Sequence, residues 1–355
     1  SDNLPSPEIA DPTAHFNTVA YSGDGTSPRT IDVGFQPDLT WLKIRTQAYS
    51  HRLFDSIRGA DEALFANSDA AEAAGTSGYL SGFTSTGPTF TANGSDERDV
   101  NESGDTYVVW NWKGGGAAST NDDGSIDSEV SANTTAGFSI VKWTGTGSDV
   151  TVGHGLSQAP DIIINKSLDD VTYWAVQSLL WASPTDTNML YLNVNSANSD
   201  DTNVFQAAPT STVFSPQGGA WVGIGASGSD YIAYCFHSVE GYSKIGTYTG
   251  NNNSDGPFIY TGFRPAWVMV KSYSTGGTHY DWPIYDSARS TYNAVGNVLE
   301  ANQNQAEITG TGRGLPIDLL SNGFKHRSSY AENNSTPSYI YLAFAETPFK
   351  TANAR

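Results

Sequence analysis

The chain has 355 residues, room for two or three domains. Thirty-seven acids against 18 bases give a net charge of −19, a field that repels phosphate backbones and anionic membrane surfaces, so nucleic acid is not an expected partner. The single cysteine, Cys235, excludes an intrachain disulfide, and no apolar run approaches the roughly 20 residues that span a bilayer, so membrane insertion is not expected either.

Residues 1–15 contain Pro5, Pro7 and Pro12 and lack the basic and apolar regions of a secretory signal. They are expected to form an extended N-terminal arm or the end of a connector, which would make the chain a fragment of something longer. From Phe16 onward the sequence repeats itself. "FNTVAYSG", "FSIVKWTG" and "YSKIGTYTG" end at Gly23, Gly145 and Gly250. After 14, 15 and 15 residues come Pro37, Pro160 and Pro265, each followed six residues later by a lysine: Lys43, Lys166 and Lys271. Further on stand Phe90, Phe214 and Phe324, and then "DTYVVWNW", "DYIAYCFH" and "SYIYLAFA", which align on Tyr107, Tyr231 and Tyr339. The same landmarks in the same order, three times, predict a triplicated domain.

The repeated phrases are β-branched and aromatic, and Gly, Asn, Asp and Ser clusters separate them. "DLTWLKI", "DIIINK" and "AWVMVK" are apolar on both faces, as in a strand buried between two layers. The prolines precede those strands, where a missing N–H costs no ladder bond. The expected fold is all-β: three tandem β-sandwich repeats, jelly-roll or immunoglobulin-like, with little helix. The boundaries are 16–116, 137–241 and 242–350, with a linker or hairpin at 117–136 and a C-terminal tail at 351–355. "ADEALFANSDAAEAAG" (60–75) is Ala-rich and reads as one or two helical turns.

Several phrases together, among them "VGFQPDLTWLKIR", "SHRLFDSIRG", "YVVWNWKGGGAA" and "PFIYTGFRPAWVMVK", resemble a family of tailed-phage virion proteins, abundant in marine phages. That resemblance implies a β-sandwich repeat in a tail fibre or other minor structural protein. It implies localisation in the virion, with synthesis in the host cytoplasm. Other virion proteins and host cell-surface glycan are then the expected partners. Three copies in one chain fit either a pseudo-threefold position or a homo-oligomer such as a trimer of chains, and the sequence leaves both open. It brings no catalytic residues. The second repeat departs from the pattern, with "VQSLLWASP" where the first has "FDSIRG" and the third "YDSAR".

No G-x-S-x-G, H-E-x-x-H or P-loop occurs, so no catalytic residue is assigned. "GIGASG" (223–228) fits G-x-G-x-x-G, but a strand rather than a helix follows it, so it reads as a turn. Asp55–Arg58 and Asp286–Arg289 recur as pairs and read as structural ion pairs. Lys43, Lys166 and Lys271 read as stems on apolar surface with their ammonium groups at the sandwich edge. Cys235 reads as a small core residue. The acidic turns with Asp122, Asp123 and Asp127, and with Asp200 and Asp201, are oxygen-rich enough for calcium but match no full EF-hand spacing. The loop aromatics and their polar neighbours are the candidate glycan contacts: Tyr49, His51, Arg52, Tyr173, Trp181, His279, Tyr280 and Trp282. Sequence alternation instead favours core positions for Phe54, Trp174 and Trp282. A depolymerase or glycosidase, and a purely structural spacer, are the alternatives to a glycan-binding virion protein.

Overall fold

The computed structural model describes residues 6–74, 79–91, 100–180, 188–200, 204–219, 224–309 and 314–348. These residues are all-β, with one 3-10 turn at Pro12–Ala14 and several antiparallel sheets.

Three large sheets, of six, eight and five strands, have a run of five strands in a common order. In the first unit it runs Phe16–Ser22, Thr106–Trp112, Leu39–Ile44, Arg52–Asp55, Glu62–Phe65 and Ala73–Ala74. In the second, Phe138–Thr144, Asp230–Phe236, Ile162–Ser167, Ala175–Ser178 and Asn188–Tyr191 take the corresponding places. In the third they are Ser243–Thr249, Ser338–Pro348, Phe263–Ser272, Pro283–Asp286 and Leu299–Glu300. A three-stranded sheet accompanies each, and its middle strand carries Phe90, Phe214 or Phe324.

Register places several landmark residues at corresponding positions, because a side chain's face is fixed by its pairing. Tyr21 pairs with Tyr107, Trp143 with Tyr231 and Tyr248 with Tyr339, and each pair of rings stacks. Gly23, Gly145 and Gly250 follow those strands. Each donates its N–H two residues upstream of the matching tyrosine, to Asp105, Ser229 and Pro337. A Cβ at any of the three would overlap a carbonyl oxygen, of Glu102, Ala226 or Ser335, so close backbone approach accounts for glycine at all three positions.

Alternation along the central strands builds two kinds of core. Leu42, Ile44, Tyr107 and Val109 point into the first sandwich, which has its own apolar cluster, as do the other two. Leu39, Trp41, Trp110 and Trp112 point the other way, into a cluster shared by all three units. Their register equivalents there include Ile162, Ile164, Tyr234 and Phe236, and Trp267, Met269, Leu342 and Phe344. The large sheets therefore face one another around a common aromatic centre, leaving an apolar void of about 20 Å³. This is why the central strands are apolar on both faces.

Some expectations change. The described part of 60–75 carries two short strands, not helical turns: Glu62–Phe65 pairs with Arg52–Asp55 and with Ala73–Ala74, so sheet pairing overrides helix propensity. Of the two readings of 117–136, linker or hairpin, the hairpin holds: Ser119–Asn121 and Ser128–Asn133 pair and extend the second large sheet beyond Phe138–Thr144. Pro37 and Pro160 precede their strands, but Pro265 lies inside Phe263–Ser272, at a register shift where a missing N–H is tolerated. The described part of the N-terminal arm is docked, with Ile9 in the shared core. Residues 1–5 and the tail 351–355 lie outside the described residues.

Candidate functional site

The units meet through equivalent contacts that close a ring. At the junction of the first and second units, the Glu72 N–H donates to Leu168 O (2.8 Å). At that of the second and third, Asn198 N–H donates to Tyr273 O (2.8 Å). Between the third and first, Glu307 N–H donates to Arg45 O (2.7 Å). Trp174 Nε1 donates to Phe65 O (3.0 Å), and Trp282 Nε1 to Tyr191 O (3.1 Å), from matching positions to matching acceptors. His51 takes that position in the first unit and receives the Trp41 indole N–H on Nδ1 (2.9 Å).

Two junctions hold buried ion pairs. Arg58 binds Asp55 and Glu72, and Tyr234 of the second unit donates its hydroxyl to Asp55 (2.8 Å). Arg289 binds Asp286 and Glu307, and Trp110 of the first unit donates to Asp286 (3.0 Å). Both pairs are structural, as the sequence suggested, but they are not surface pairs: the four side chains are 0–1% exposed. Burial opposes ionisation of Glu307, yet Arg289 and Arg45 outweigh it and hold the carboxyl below its usual range. At the remaining junction the register equivalents are Leu342 and Ser178, and Ser178 donates instead to Asp161 O within its own unit.

The three lysines do not reach the sandwich edge. They are fully buried on the core-facing side of the central strands, next to Val108, Ile232 and Ile340 in the ladders. Carbonyls at the strand end and in the loop beyond accept from them: Ile44 and Gln47 for Lys43, Ser167 and Asp170 for Lys166, Tyr280 for Lys271. Desolvation pushes Lys43 and Lys271 down to about 7 and Lys166 to about 8, against the pull of nearby acids. Snorkelling fails because each ammonium is itself buried and bonded to carbonyls of its own unit.

The candidate glycan contacts divide. Tyr173 (41% exposed), His279, and partly Tyr49, Arg52 and Tyr280 reach the surface, with Arg52 over the Phe65 ring. His51 and Trp282 are fully buried and serve the junctions, so they are structural and not surface contacts. Phe54 and Trp174 are core, as alternation predicted. Trp181 lies outside the described residues. Exposed aromatics the sequence reading did not single out are Tyr292 (82%), Tyr260 (58%) and Phe258. Their only signal was position next to turn residues.

The acids draw together at an unexpected place. Asp281, Glu300 and Glu332 are buried with carboxylate oxygens within 4.8 Å of one another. Asp281 accepts from Asn302 (2.6 Å) and Gln303 (2.9 Å), and Glu332 lies 4.0 Å from His279. An all-oxygen set of three carboxylates suits a hard cation such as calcium better than zinc. Among the described residues this is the one such group, and it excludes Asp122, Asp123, Asp127 and Asp200. Asp201 lies outside the described residues. Asp281 sits between two singled-out aromatics, but Glu300 and Glu332 come from separate strands and loops, and nothing local marks them. Cys235 is a buried core residue whose thiol desolvation pushes up to about 12, which makes it a poor nucleophile.

Fold and site together define an all-β protein of antiparallel sandwich-like units joined through a common core. The chain belongs to the DUF7483 family, a domain of unknown function whose family model matches residues 11–348. No curated protein and no solved structure matches it.

Proposed function

We propose that the chain is a structural protein of a phage virion, a tail fibre, knob or capsid decoration that contacts the host surface and binds glycan there. The observation that carries the reading is the closed three-unit ring. Its junctions and shared core hold three sets of loops rigidly on one body, and a rigid scaffold with varied loops suits surface recognition. The matching strand orders, registers and landmark residues favour descent of the three units from one ancestral domain. Aromatic rings exposed beside polar groups, at Tyr173, Tyr260 and Tyr292, supply the stacking surfaces that sugars use. The net charge of −19 favours a neutral or cationic glycan over an anionic one. No helix of the described residues is long and apolar enough to cross a membrane.

The test is to incubate the purified chain with host cells and their isolated surface polysaccharides, following bound protein and polymer mass together. Co-elution with polymer of unchanged mass is the expected result. A falling polymer mass makes the chain a depolymerase. Absence of both effects leaves a spacer role.

A further inference from the structure

The small sheet of the third unit differs from the other two on its outer face. Its edge strand, Phe258–Tyr260, alternates. Ile259 turns into the third sandwich's core, while Phe258 and Tyr260 turn outward, 44% and 58% exposed. Ile259 pairs with Phe324 as Arg29 pairs with Phe90 and Val152 with Phe214. The positions equivalent to the two rings are therefore Pro28 and Thr30 in the first unit, and Thr151 and Gly153 in the second. Opposite Tyr260 in the ladder stands Gly323, which projects no side chain beside the rings. Strand geometry sets the two ring positions about 7 Å apart on one face. Rings left in water add nothing to the core, so packing does not account for them.

A groove of about 230 Å³ opens beside Tyr260, and Glu240 and Lys244 line it with that ring. An atom at the Cβ position of Gly262 would lie 3.3 Å from the Glu240 carboxylate and 3.7 Å from the Tyr260 hydroxyl, so these two polar groups flank one small space. Among the described residues, the Glu240 carboxylate, the Lys244 ammonium and the Tyr260 hydroxyl have no hydrogen bond or ion pair. The floor between them is fixed. Ser238 Oγ donates to Asp161 (2.7 Å), and Ser243 Oγ accepts from the Val239 N–H (3.0 Å). Free donors and acceptors on a rigid floor, next to flat apolar rings, are what a small-molecule site needs.

We infer that Phe258, Tyr260 and the groove beside them form a binding site for a neutral saccharide. The C–H face of a sugar stacks on the rings, and its hydroxyls both accept from Lys244 and donate to Glu240. One carboxylate and one ammonium cancel within the groove, while the −19 charge of the whole chain repels a uronate or a sulfated sugar. A purely apolar partner would cover both charges without pairing them. The inference rests on the glycan-contact reading and gives it a place.

The experiment is saturation-transfer NMR of the full chain with millimolar cellohexaose, maltohexaose and chitohexaose, all neutral, and with anionic hexagalacturonate. Binding of at least one neutral hexamer, with saturation reaching its ring C–H protons, is expected, and none of the uronate. Tyr260→Ala and Phe258→Ala should each weaken binding about threefold to tenfold. Both side chains are exposed, so the melting temperature should not move. Tyr292→Ala, in a different groove of the same unit, should leave binding unchanged. Absence of binding to all three neutral hexamers, preference for the uronate, or affinity that falls with Tyr292→Ala but not with the other two variants overturns the inference. Host-cell adhesion separates the two levels. Adhesion that survives the double variant Phe258→Ala, Tyr260→Ala overturns this site and keeps the general reading. A wild-type chain that binds a neutral hexamer through these rings but never adheres to host cells keeps the site and removes the general reading.

Discussion

Trp110 of the first unit donates its indole N–H to Asp286 of the third, 176 residues away, at 3.0 Å. The same carboxylate holds Arg289, whose guanidinium also lies over the Trp110 ring. One acid thereby joins an ion pair, an aromatic centre and a junction between units.

Asp286→Ala should therefore be among the most damaging single changes. It strands a buried guanidinium and an indole donor, at a cost of about 3–5 kcal/mol. Urea unfolding measures it, and a cost under about 1 kcal/mol would show that the pair is dispensable.

Tyr234→Phe removes one hydroxyl from Asp55 and leaves Arg58 in place. The expected loss is about 1–2 kcal/mol. Leu342, at the equivalent position of the third unit, has no such bond to lose, so Leu342→Met should cost less than Tyr234→Phe in the same assay.

The lysines fix an alkaline trend. Their folded-state values lie near 7 to 8, below the ordinary 10.5 of an unfolded chain. Between those limits the unfolded chain binds more protons, so stability rises with pH from about 7 to about 10, by at most about 1.4 kcal/mol per pH unit for each lysine. Lys43→Met and Lys271→Met should flatten the slope. A melting temperature that falls over pH 7–9 contradicts the assignment.

Acid should act in the opposite sense. Burial lowers His51, His154 and His326, the last to about 3. The unfolded chain takes up protons from about pH 6.5 downward, so stability falls as pH drops toward 3. Neither ring nitrogen of His326 has a hydrogen-bond partner among the described residues, and the ring stacks on Tyr248. His326→Phe should therefore stabilise the protein and blunt its acid sensitivity, which melting curves at pH 7 and pH 5 would compare.

Gly145→Ala tests the close approach behind the recurrent glycines. The added methyl meets the Ala226 backbone, so a loss of about 1–3 kcal/mol is expected by thermal unfolding. An unaffected melting temperature would mean the loop yields freely.

Much of this architecture was legible in the chain. Pro37, Lys43, Phe90 and Tyr107 recur because each answers a local demand of one unit, and local demands repeat with the unit. The junctions were not legible. Asp55 and Asp286 look like ordinary surface acids until a tyrosine or tryptophan from another unit covers them. The lysines misled because nothing local shows that each stem turns its ammonium onto buried carbonyls of its own unit. Ala-rich 60–75 misled because strand pairing, which propensity does not report, decided its form. Of the candidate contacts, alternation placed Trp282 inside, whereas His51 gave no such sign, since histidine occupies a position that tryptophan fills in the other units.

The shared core also bears on how such a chain can change over time. A unit lifted out of the ring would carry away a face of Trp110, Tyr234 or Trp267 with nothing to cover it. The modules are therefore not interchangeable parts, and cutting or shuffling at their borders should give insoluble pieces. Variation is left to what hangs outside the ring, as the hairpin of the second unit does. New recognition can then arise by addition to one lobe while the other two keep the scaffold intact.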